Sequence, residues 1–247
     1  MCKRCVGTTV NDVSGRTCQC QCPRNPPVEA TARCNGRQTL MRDLLDGLLT
    51  LLAPTRCPGC DEATNGADVF CAACSALIQR TSGPSAVFEY GGPVADAIQR
   101  FKYDGRSELG SALGSVMATG AHPWAGKVDA VVPVPLHWRR RRSRGYDQAA
   151  LLAKPVARAL AVPVLLRGLR RVRNTPSQVD LPHRERQQNI AGAFTPRRLH
   201  GLRRVLLIDD VRTTGATLRS ASEALRAGGA SEVQTFVLAT RVLAQCA

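Results

Sequence analysis

The segment Val205–Leu218 constrains the fold more than any other part of the chain, because it combines three local signals. A continuous apolar run, Val205–Ile208, predicts a buried strand. Two adjacent carboxylates, Asp209 and Asp210, follow it directly. A short loop of threonine and glycine comes next, and the run Ala216–Ala227 predicts a helix that ends at a glycine pair. A strand, a polar turn and a helix in this order are typical of a parallel α/β sheet.

The same alternation of strands and helices extends over the preceding 120 or so residues. The predicted strands are 87–90, 128–134, 162–166, 205–208 and 233–239, and the predicted helices are 94–102, 108–121, 147–160 (capped by Asp147) and 216–227. A polar stretch, 171–192, predicts a long loop or flap. We therefore expect an α/β domain with a parallel sheet over residues 86–243, after a linker at Thr81–Ser85.

The turn after the paired acids has the composition of a phosphate-binding loop. Backbone N–H groups at the start of a helix bind phosphate, threonine hydroxyls add donors, and Gly215 allows a close approach. Two carboxylates beside a phosphate repel it unless they contact ribose hydroxyls or Mg²⁺. The alternative is an ordinary strand, turn and helix in which an aspartate caps the helix. The sequence contains no G-x-x-x-x-G-K-[ST] motif, which excludes a P-loop nucleotide triphosphatase.

Four cysteines predict a structural metal site ahead of this domain. They are spaced as Cys57-x-x-Cys60 and Cys71-x-x-Cys74, with ten residues between the two pairs. Each C-x-x-C turn can place two thiolates on one tetrahedral ion, which favours zinc, and a four-sulfur site leaves no open position for a substrate. The ion then replaces a hydrophobic core that is too small to stand alone. A redox pair and a chance spacing are the alternatives.

Residues 1–40 show neither a helical nor a strand period. We expect this segment to be disordered, or to be an extension that results from a start codon assigned upstream of Met41. A second metal site is the rival interpretation for its cysteines, which are Cys2, Cys5, Cys18, Cys20, Cys22 and Cys34. The next segment, 41–80, is expected to contain a short amphipathic helix at Leu44–Leu52 and then the four-cysteine module.

The charge of the chain is concentrated in the expected α/β domain. The whole chain carries +15, and residues 86–247 hold 25 basic and 12 acidic side chains. This excess favours phosphate-bearing partners, either metabolites or nucleic acid, although a soluble protein from an arginine-rich proteome is the alternative. No apolar run is long enough to cross a bilayer, and no apolar stretch follows Lys3 and Arg4 as in a secretory signal. We therefore expect a cytoplasmic location without membrane insertion.

Residues 205–217 resemble the phosphoribosyl diphosphate (PRPP) motif of type I phosphoribosyltransferases, and the chain from about residue 42 to 241 resembles the ComF family. The matching segments are Phe101–Gly105, Val132–His137 and Arg144–Gln148, together with Arg173, Thr175, Gln178, Arg186, Asn189, Ala193 and Phe194. Asp147 stands where ComF members usually have asparagine, which changes one charge near the expected site.

The resemblance implies a type I phosphoribosyltransferase fold with a small N-terminal zinc-binding module. It implies that Asp209 and Asp210 contact the ribose hydroxyls as the catalytic pair, and that Mg²⁺ accompanies PRPP. The residues implied to hold the 5′-phosphate are Thr213, Thr214, Gly215, Ala216 and Thr217. The loop 136–146 would face the diphosphate with one or two of its arginines, Arg144 among them. The surplus arginines are then either solvated or follow a nucleic-acid backbone.

Two functions follow from the resemblance, and the sequence does not choose between them. The first is transfer of ribose 5-phosphate from PRPP to an acceptor that no recognisable pattern identifies. The second is a non-catalytic role in natural competence, in which the protein binds single-stranded DNA or a DNA-handling partner. The aromatic content of 4% weighs against direct binding of a single strand, because stacking platforms are scarce.

Overall fold

The structure is a computed structural model that describes residues 9–11, 17–19, 55–64, 68–173, 192–197, 199 and 201–241. The chain divides into two compact units, Met1–Leu51 and Leu52–Ala247. In the first unit, β1 (Thr9–Asn11) and β2 (Thr17–Gln19) pair antiparallel, where the sequence predicts no strand. The helix expected at Leu44–Leu52 lies outside the described residues.

The second unit is built from alternating strands and helices. Its described elements are α1 (Ala72–Leu77), β3 (Ala86–Glu89), α2 (Gly92–Tyr103), α3 (Leu109–Gly120), β4 (Ala130–Pro133), α4 (Trp138–Arg144), α5 (Gln148–Ala159), β5 (Leu169–Arg171), β6 (Phe194–Pro196), β7 (Arg204–Arg212), α6 (Ala216–Ala227) and β8 (Glu232–Thr240). Strands β3, β8, β7 and β4 form a parallel sheet in that order, and β5 pairs with β6 in a separate antiparallel ribbon. The predicted α/β domain with a parallel sheet is confirmed.

Helices cover both faces of the parallel sheet. Because successive side chains of a strand point to opposite faces, β7 divides its apolar residues between two cores. Leu206 and Ile208 join the core that includes residues of α2, α3 and α5, whereas Val205 and Leu207 join the core that includes residues of α6. All four side chains are fully buried, which explains why this strand is apolar without alternation.

Two strands differ from their predicted extents. Strand β7 continues through both acids to Arg212, because β8 pairs with it up to Arg212 and Thr240. The strand expected at 162–166 is reduced to one isolated parallel bridge between Val131 and Val164. By contrast, helix α6 begins and ends at the predicted residues, 216 and 227.

The arginine-rich segment after β4 is a short helix, α4, and not the expected loop. The His137 ring accepts a hydrogen bond from the Arg139 N–H through Nδ1 at 3.4 Å, which caps the start of the helix. Gly145 ends it in the left-handed conformation (φ 80°), which glycine adopts without strain. No helix in the described part of the chain is long and apolar enough to span a membrane.

Candidate functional site

A recess of about 550 Å³ opens at the carboxyl ends of the parallel strands, where open α/β sheets bind their ligands. Its walls come from the ends of β4, β7 and β8, the last turn of α2 and the first turn of α5. The ionisable groups lining it are Lys102, Tyr90, Tyr103, Arg140, Arg144, Asp147, Arg171, Asp209, Asp210 and Arg241. Five of these are cations and three are carboxylates. The recess therefore favours an anionic ligand that also presents hydrogen-bond donors to the aspartates.

The two predicted acids lie side by side in this recess, and a lysine from α2 pairs with one of them. The Lys102 ammonium lies 2.8 Å from the Asp210 carboxylate. Asp210 is buried, and its backbone N–H donates to the Asp209 carboxylate at 2.9 Å. The cluster therefore holds one closed ion pair and one further carboxylate beside it.

The surroundings shift the protonation of this cluster. Loss of hydration raises the pKa of Asp209 to about 8, and the neighbouring Asp210 charge acts in the same direction. Burial is the largest single influence on Lys102 and acts to lower its pKa, but the charge and hydrogen bond of Asp210, together with weaker neighbouring charges, outweigh it and the pKa is raised. Near neutral pH the lysine is thus charged and Asp209 is largely protonated. A bound cation that prefers the carboxylate form displaces that proton.

The predicted phosphate-binding residues are divided between the recess and a neighbouring groove. Thr213 and Thr217 line the recess, whereas Thr214 and Gly215 line a groove of about 650 Å³ on the α6 side, which Thr213 also reaches. Gly215 has φ 73° and begins α6 without a side-chain cap. Ala216 is buried, and its N–H donates to the Thr214 hydroxyl at 3.4 Å. The open start of a twelve-residue helix is a favourable position for a phosphate.

Arg144 reaches the mouth of the recess from the end of α4. Its guanidinium donates to the Gln148 side-chain oxygen at 3.2 Å and stacks over the Tyr103 ring at 5.0 Å. Asp147 instead stabilises the backbone: it accepts from the Ala150 N–H at 3.3 Å as the predicted cap of α5, and from the Leu136 N–H at 3.1 Å. Burial raises the pKa of Asp147.

Several polar side chains of the recess are not among the predicted site residues, and three of them bear on the chemistry of the site. They are Lys102, Gln148 and Arg171. Lys102 follows the buried Ile98 by four residues, so it interrupts the apolar face of α2, and a charge at such a position is the signal that identifies it. Arg171 falls within the predicted flap but belongs to β5. Residues 174–191 of that flap lie outside the described residues.

The four predicted metal ligands come together in space. The sulfur atoms of Cys57, Cys60, Cys71 and Cys74 all lie within 4.8 Å of one another, and those of Cys60 and Cys71 are 3.6 Å apart. A tetrahedral zinc ion with four thiolates sets its sulfur atoms about 3.8 Å apart, so the arrangement fits such an ion.

Backbone hydrogen bonds favour the thiolate form of Cys57, whereas burial raises the pKa of Cys74. Burial acts to raise the pKa of Cys57, but hydrogen bonds from backbone N–H groups outweigh it and lower the pKa to about 7. One of these donors is the Cys71 N–H, 3.3 Å from the Cys57 sulfur. Since thiolates are the metal-binding form, the hydrogen bonds to the Cys57 sulfur favour metal binding by this one ligand at neutral pH.

Comparison with known proteins agrees with this architecture. Residues 118–242, about half of the chain, match the family described as "Phosphoribosyl transferase domain". Competence protein F of Haemophilus influenzae is 36% identical over 156 residues, which cover 60% of this chain and 68% of that protein. The DNA utilization protein YhgH of Escherichia coli K12 is 31% identical over 189 residues, which cover 74% of this chain and 83% of that protein.

A solved structure also matches part of the chain. The glutamine PRPP amidotransferase from Bacillus subtilis, complexed with ADP and GMP, aligns with a TM-score of 0.40 and 23% identity. The alignment covers 56% of this chain and 30% of that chain. The family match over half of the sequence and the two curated relatives lead to one conclusion: the chain belongs to the ComF family, with a phosphoribosyl transferase domain of the type I fold.

Proposed function

We propose that the recess binds PRPP together with Mg²⁺ and that the protein transfers ribose 5-phosphate to an acceptor. One observation carries the proposal: Asp209 and Asp210 share a recess with Lys102 and with the turn that begins α6. PRPP requires three kinds of group from the protein. These are acids that accept from the ribose hydroxyls, donors for the 5′-phosphate and cations for the diphosphate.

Each group of the ligand has its own part of the recess in this proposal. The hydroxyls of Thr213 and Thr217, with backbone N–H groups of Thr214, Gly215 and Ala216, hold the 5′-phosphate. The carboxyl oxygens of Asp209 and Asp210 accept hydrogen bonds from the ribose hydroxyls. Arg144 and Arg140, which also line the recess, face the diphosphate.

The chemistry requires no covalent intermediate with the protein. A nucleophilic nitrogen of the acceptor forms a bond to the anomeric carbon, the bond from that carbon to the diphosphate oxygen breaks, and diphosphate departs with the electron pair. The ring carries positive charge in the transition state, as in glycoside hydrolysis. The protein contributes by orienting the ligand and by stabilising the charge of the leaving group. Carboxylate oxygens suit Mg²⁺, which would neutralise the diphosphate.

The transferase proposal is tested by release of diphosphate. The wild-type protein is incubated with Mg²⁺, PRPP and a panel of nitrogenous bases, and diphosphate is measured by an enzyme-coupled assay. We expect release with at least one base, and loss of that release in Asp209→Asn/Asp210→Asn. Asp129→Asn, which alters an aspartate paired with Arg204 outside the recess, serves as the control. Binding of PRPP without release by any acceptor would make the protein a phosphoribosyl-binding factor rather than a transferase.

A second candidate function is binding of single-stranded nucleic acid. Tyr103 and Trp138 are 65% and 60% exposed, and each carries an arginine over its ring: Arg144 at 5.0 Å and Arg139 at 5.3 Å. Exposed rings paired with guanidinium groups are suitable surfaces for stacked bases and their phosphates. The curated relatives carry the names "Competence protein F" and "DNA utilization protein", which agree with such a role.

The nucleic-acid candidate predicts that both rings contribute to affinity. Fluorescence anisotropy with a labelled single-stranded oligonucleotide at low salt measures binding. We expect Trp138→Ala and Tyr103→Ala each to weaken binding by about tenfold, because one stacked base contributes about 1–3 kcal/mol. Leu77→Ala, which removes another exposed apolar side chain (71%), is the control. Equal affinities of all four proteins, or no binding at low salt, would rule the surface out.

The four-cysteine cluster is proposed to hold one structural zinc ion. Its ligand set is complete with four sulfur atoms, so it leaves no position for a substrate. The cytoplasmic location remains a proposal based on the sequence.

A further inference from the structure

We propose that Arg100 is a positioning residue that connects the cysteine cluster to Lys102 in the recess, so that metal binding at the cluster and ligand binding in the recess strengthen each other. The inference rests on the proposed binding of PRPP. Such coupling requires two distinct sites and an element whose position both ligands bias. Here the shared element is helix α2.

At one end, Arg100 binds the backbone between the first two cysteines. Its Nη1 donates to the Pro58 carbonyl at 2.9 Å and also to the Gly59 carbonyl. Both carbonyls belong to the turn that spaces Cys57 from Cys60. Because a metal ion held by these two thiolates fixes that turn, it also fixes the position of the Arg100 guanidinium.

The turn lies directly against the first turn of α2 as well. A Cβ atom at Gly59 would be 2.9 Å from the Pro93 Cβ and 3.0 Å from the Cys74 sulfur. There is thus no space between the cysteine turn and the helix. The turn contacts α2 at Pro93 and, through Arg100, almost two helical turns later.

At the other end, the two residues after Arg100 lie at the recess. The Phe101 carbonyl accepts hydrogen bonds from the Tyr146 hydroxyl at 2.6 Å and from the Gln148 amide at 3.4 Å. The Lys102 ammonium forms the ion pair with Asp210 at 2.8 Å. Since neighbouring residues of a helix are separated by about 1.5 Å along its axis, a displacement of Arg100 also displaces these contacts.

Other contacts hold the module in place without Arg100. Arg106 pairs with Asp61 at 2.8 Å, and the rings of Phe70 and Phe88 meet edge to face at 6.1 Å. Neither contact involves a residue of α2. We therefore expect Arg100→Ala to stay folded and zinc-loaded while it loses the connection to Lys102.

The first test measures the coupling in equilibrium. Zinc affinity is determined by competition with a chelator of known affinity, with and without Mg²⁺ and PRPP, and protein-free blanks account for zinc bound by PRPP itself. We expect PRPP to tighten zinc binding of the wild type by about tenfold, a typical size for coupling between sites. Arg100→Ala should reduce this factor toward one, and Arg100→Lys should restore part of it. Asp96→Ala, an exposed change on the same helix, should leave the factor unchanged.

The second test does not depend on PRPP. Hydrogen exchange is followed in the last turn of α2 (99–103) and in α3 as the reference. Removal of zinc should speed exchange in that turn more than in α3, and Arg100→Ala should produce the same local change with zinc still bound. A purely structural loss of stability would speed exchange in both helices.

The outcomes separate the two proposals. A wild type that binds no PRPP overturns the proposed function, and the exchange experiment still decides the role of Arg100. A wild type that binds PRPP with no change in zinc affinity overturns the coupling. Unchanged exchange in α2 after zinc removal overturns it as well.

Discussion

At the scale of single residues, the recess is organised around a lysine and two aspartates whose charges depend on one another. Asp210 keeps Lys102 protonated by the 2.8 Å ion pair, and Lys102 in turn acts to lower the pKa of Asp209. Burial and the Asp210 charge are stronger, so the pKa of Asp209 is raised. The cluster thus keeps a proton near neutral pH.

The raised pKa of Asp209 predicts how stability changes with pH. In the unfolded chain this carboxyl loses its proton near pH 4, whereas in the folded protein it keeps it to about pH 8. The folded state therefore binds more protons between these values, and the free energy of unfolding falls as pH rises through this window. Asp209→Asn removes the titration, so we expect it to be more stable than the wild type at pH 8, by about 1–3 kcal/mol. Urea denaturation at pH 5 and pH 8 measures the difference.

Asp129 is the matched control, because its shift has the opposite sign. Hydrogen bonds from Arg204 lower its pKa to about 2. Its contribution to stability is present above pH 4 and is lost as pH falls toward 2. Asp129→Asn should therefore destabilise the protein at pH 5 and pH 8 alike. An Asp209→Asn variant that loses stability at pH 8 contradicts the account of the acid pair.

The sequence predicts the acids but not their lysine partner, and the reason is physical. Asp209 and Asp210 follow an apolar run, so their place at the carboxyl edge of a strand is a local property. The pairing of Lys102 with Asp210 depends on how α2 lies over the sheet, which is a tertiary property. The local signal for Lys102 is only its position on an apolar helix face.

At the scale of secondary-structure elements, helices α3 and α5 pack closely through two glycines of α3. A Cβ atom at Gly114 would be 2.8 Å from the Pro155 Cγ, and one at Gly110 would be 2.8 Å from the Leu151 Cβ. The two glycines are four residues apart and form one face of α3, so α5 rests directly on that helix. This contact sets the position of α5, whose first turn carries Asp147 and Gln148 to the recess.

Gly114→Val tests this packing. The added side chain has no space beside Pro155, so we expect the free energy of unfolding to fall by about 1–3 kcal/mol, as for overpacked cores. Ser115→Val places the same side chain on the exposed face of α3 and should change stability by about 0.5 kcal/mol or less. Urea denaturation of both variants measures the difference. Equal stability of the two would show that the helices can move apart.

The accuracy of the predicted elements follows from how local their signals are. Helix α6 agrees with its prediction because an apolar period and a closing glycine pair define both ends. The sequence does not predict helix α4, because Trp138–Arg144 has no apolar period and only the His137 cap and Gly145 mark it. Strand β7 exceeds its apolar run because pairing with β8 extends it through polar residues.

At the scale of the whole second unit, the cysteine module and the α/β domain are parts of one structure. The C-x-x-C spacing predicts the cluster because each pair is a local turn. The module docks on the domain through Arg100, which contacts Pro58 at a sequence separation of 42, and through Arg106, which contacts Asp61 at a separation of 45. The spacing of the cysteines gives no information about these contacts.

The metal proposal predicts one zinc ion per chain. Mass spectrometry for metals should find about one equivalent in the wild type, and Cys57→Ser or Cys71→Ser should lose most of it. Thermal unfolding should then begin at a lower temperature, because the ion replaces core contacts in the module. Cys246→Ser, which changes a cysteine outside the two C-x-x-C motifs, is the control. Full zinc content in Cys57→Ser would contradict the four-sulfur site.

The central claim is that the paired acids and the neighbouring turn form a working site for PRPP, and calorimetric titration tests it most directly. PRPP with Mg²⁺ is titrated into zinc-loaded wild type, into Asp209→Asn/Asp210→Asn and into the control Asp129→Asn. We predict saturable binding by the wild type and the control, and at least tenfold weaker binding by the double variant, since it loses more than one charged hydrogen bond. Absence of heat in the folded wild type, or equal affinity of the double variant, would contradict the account.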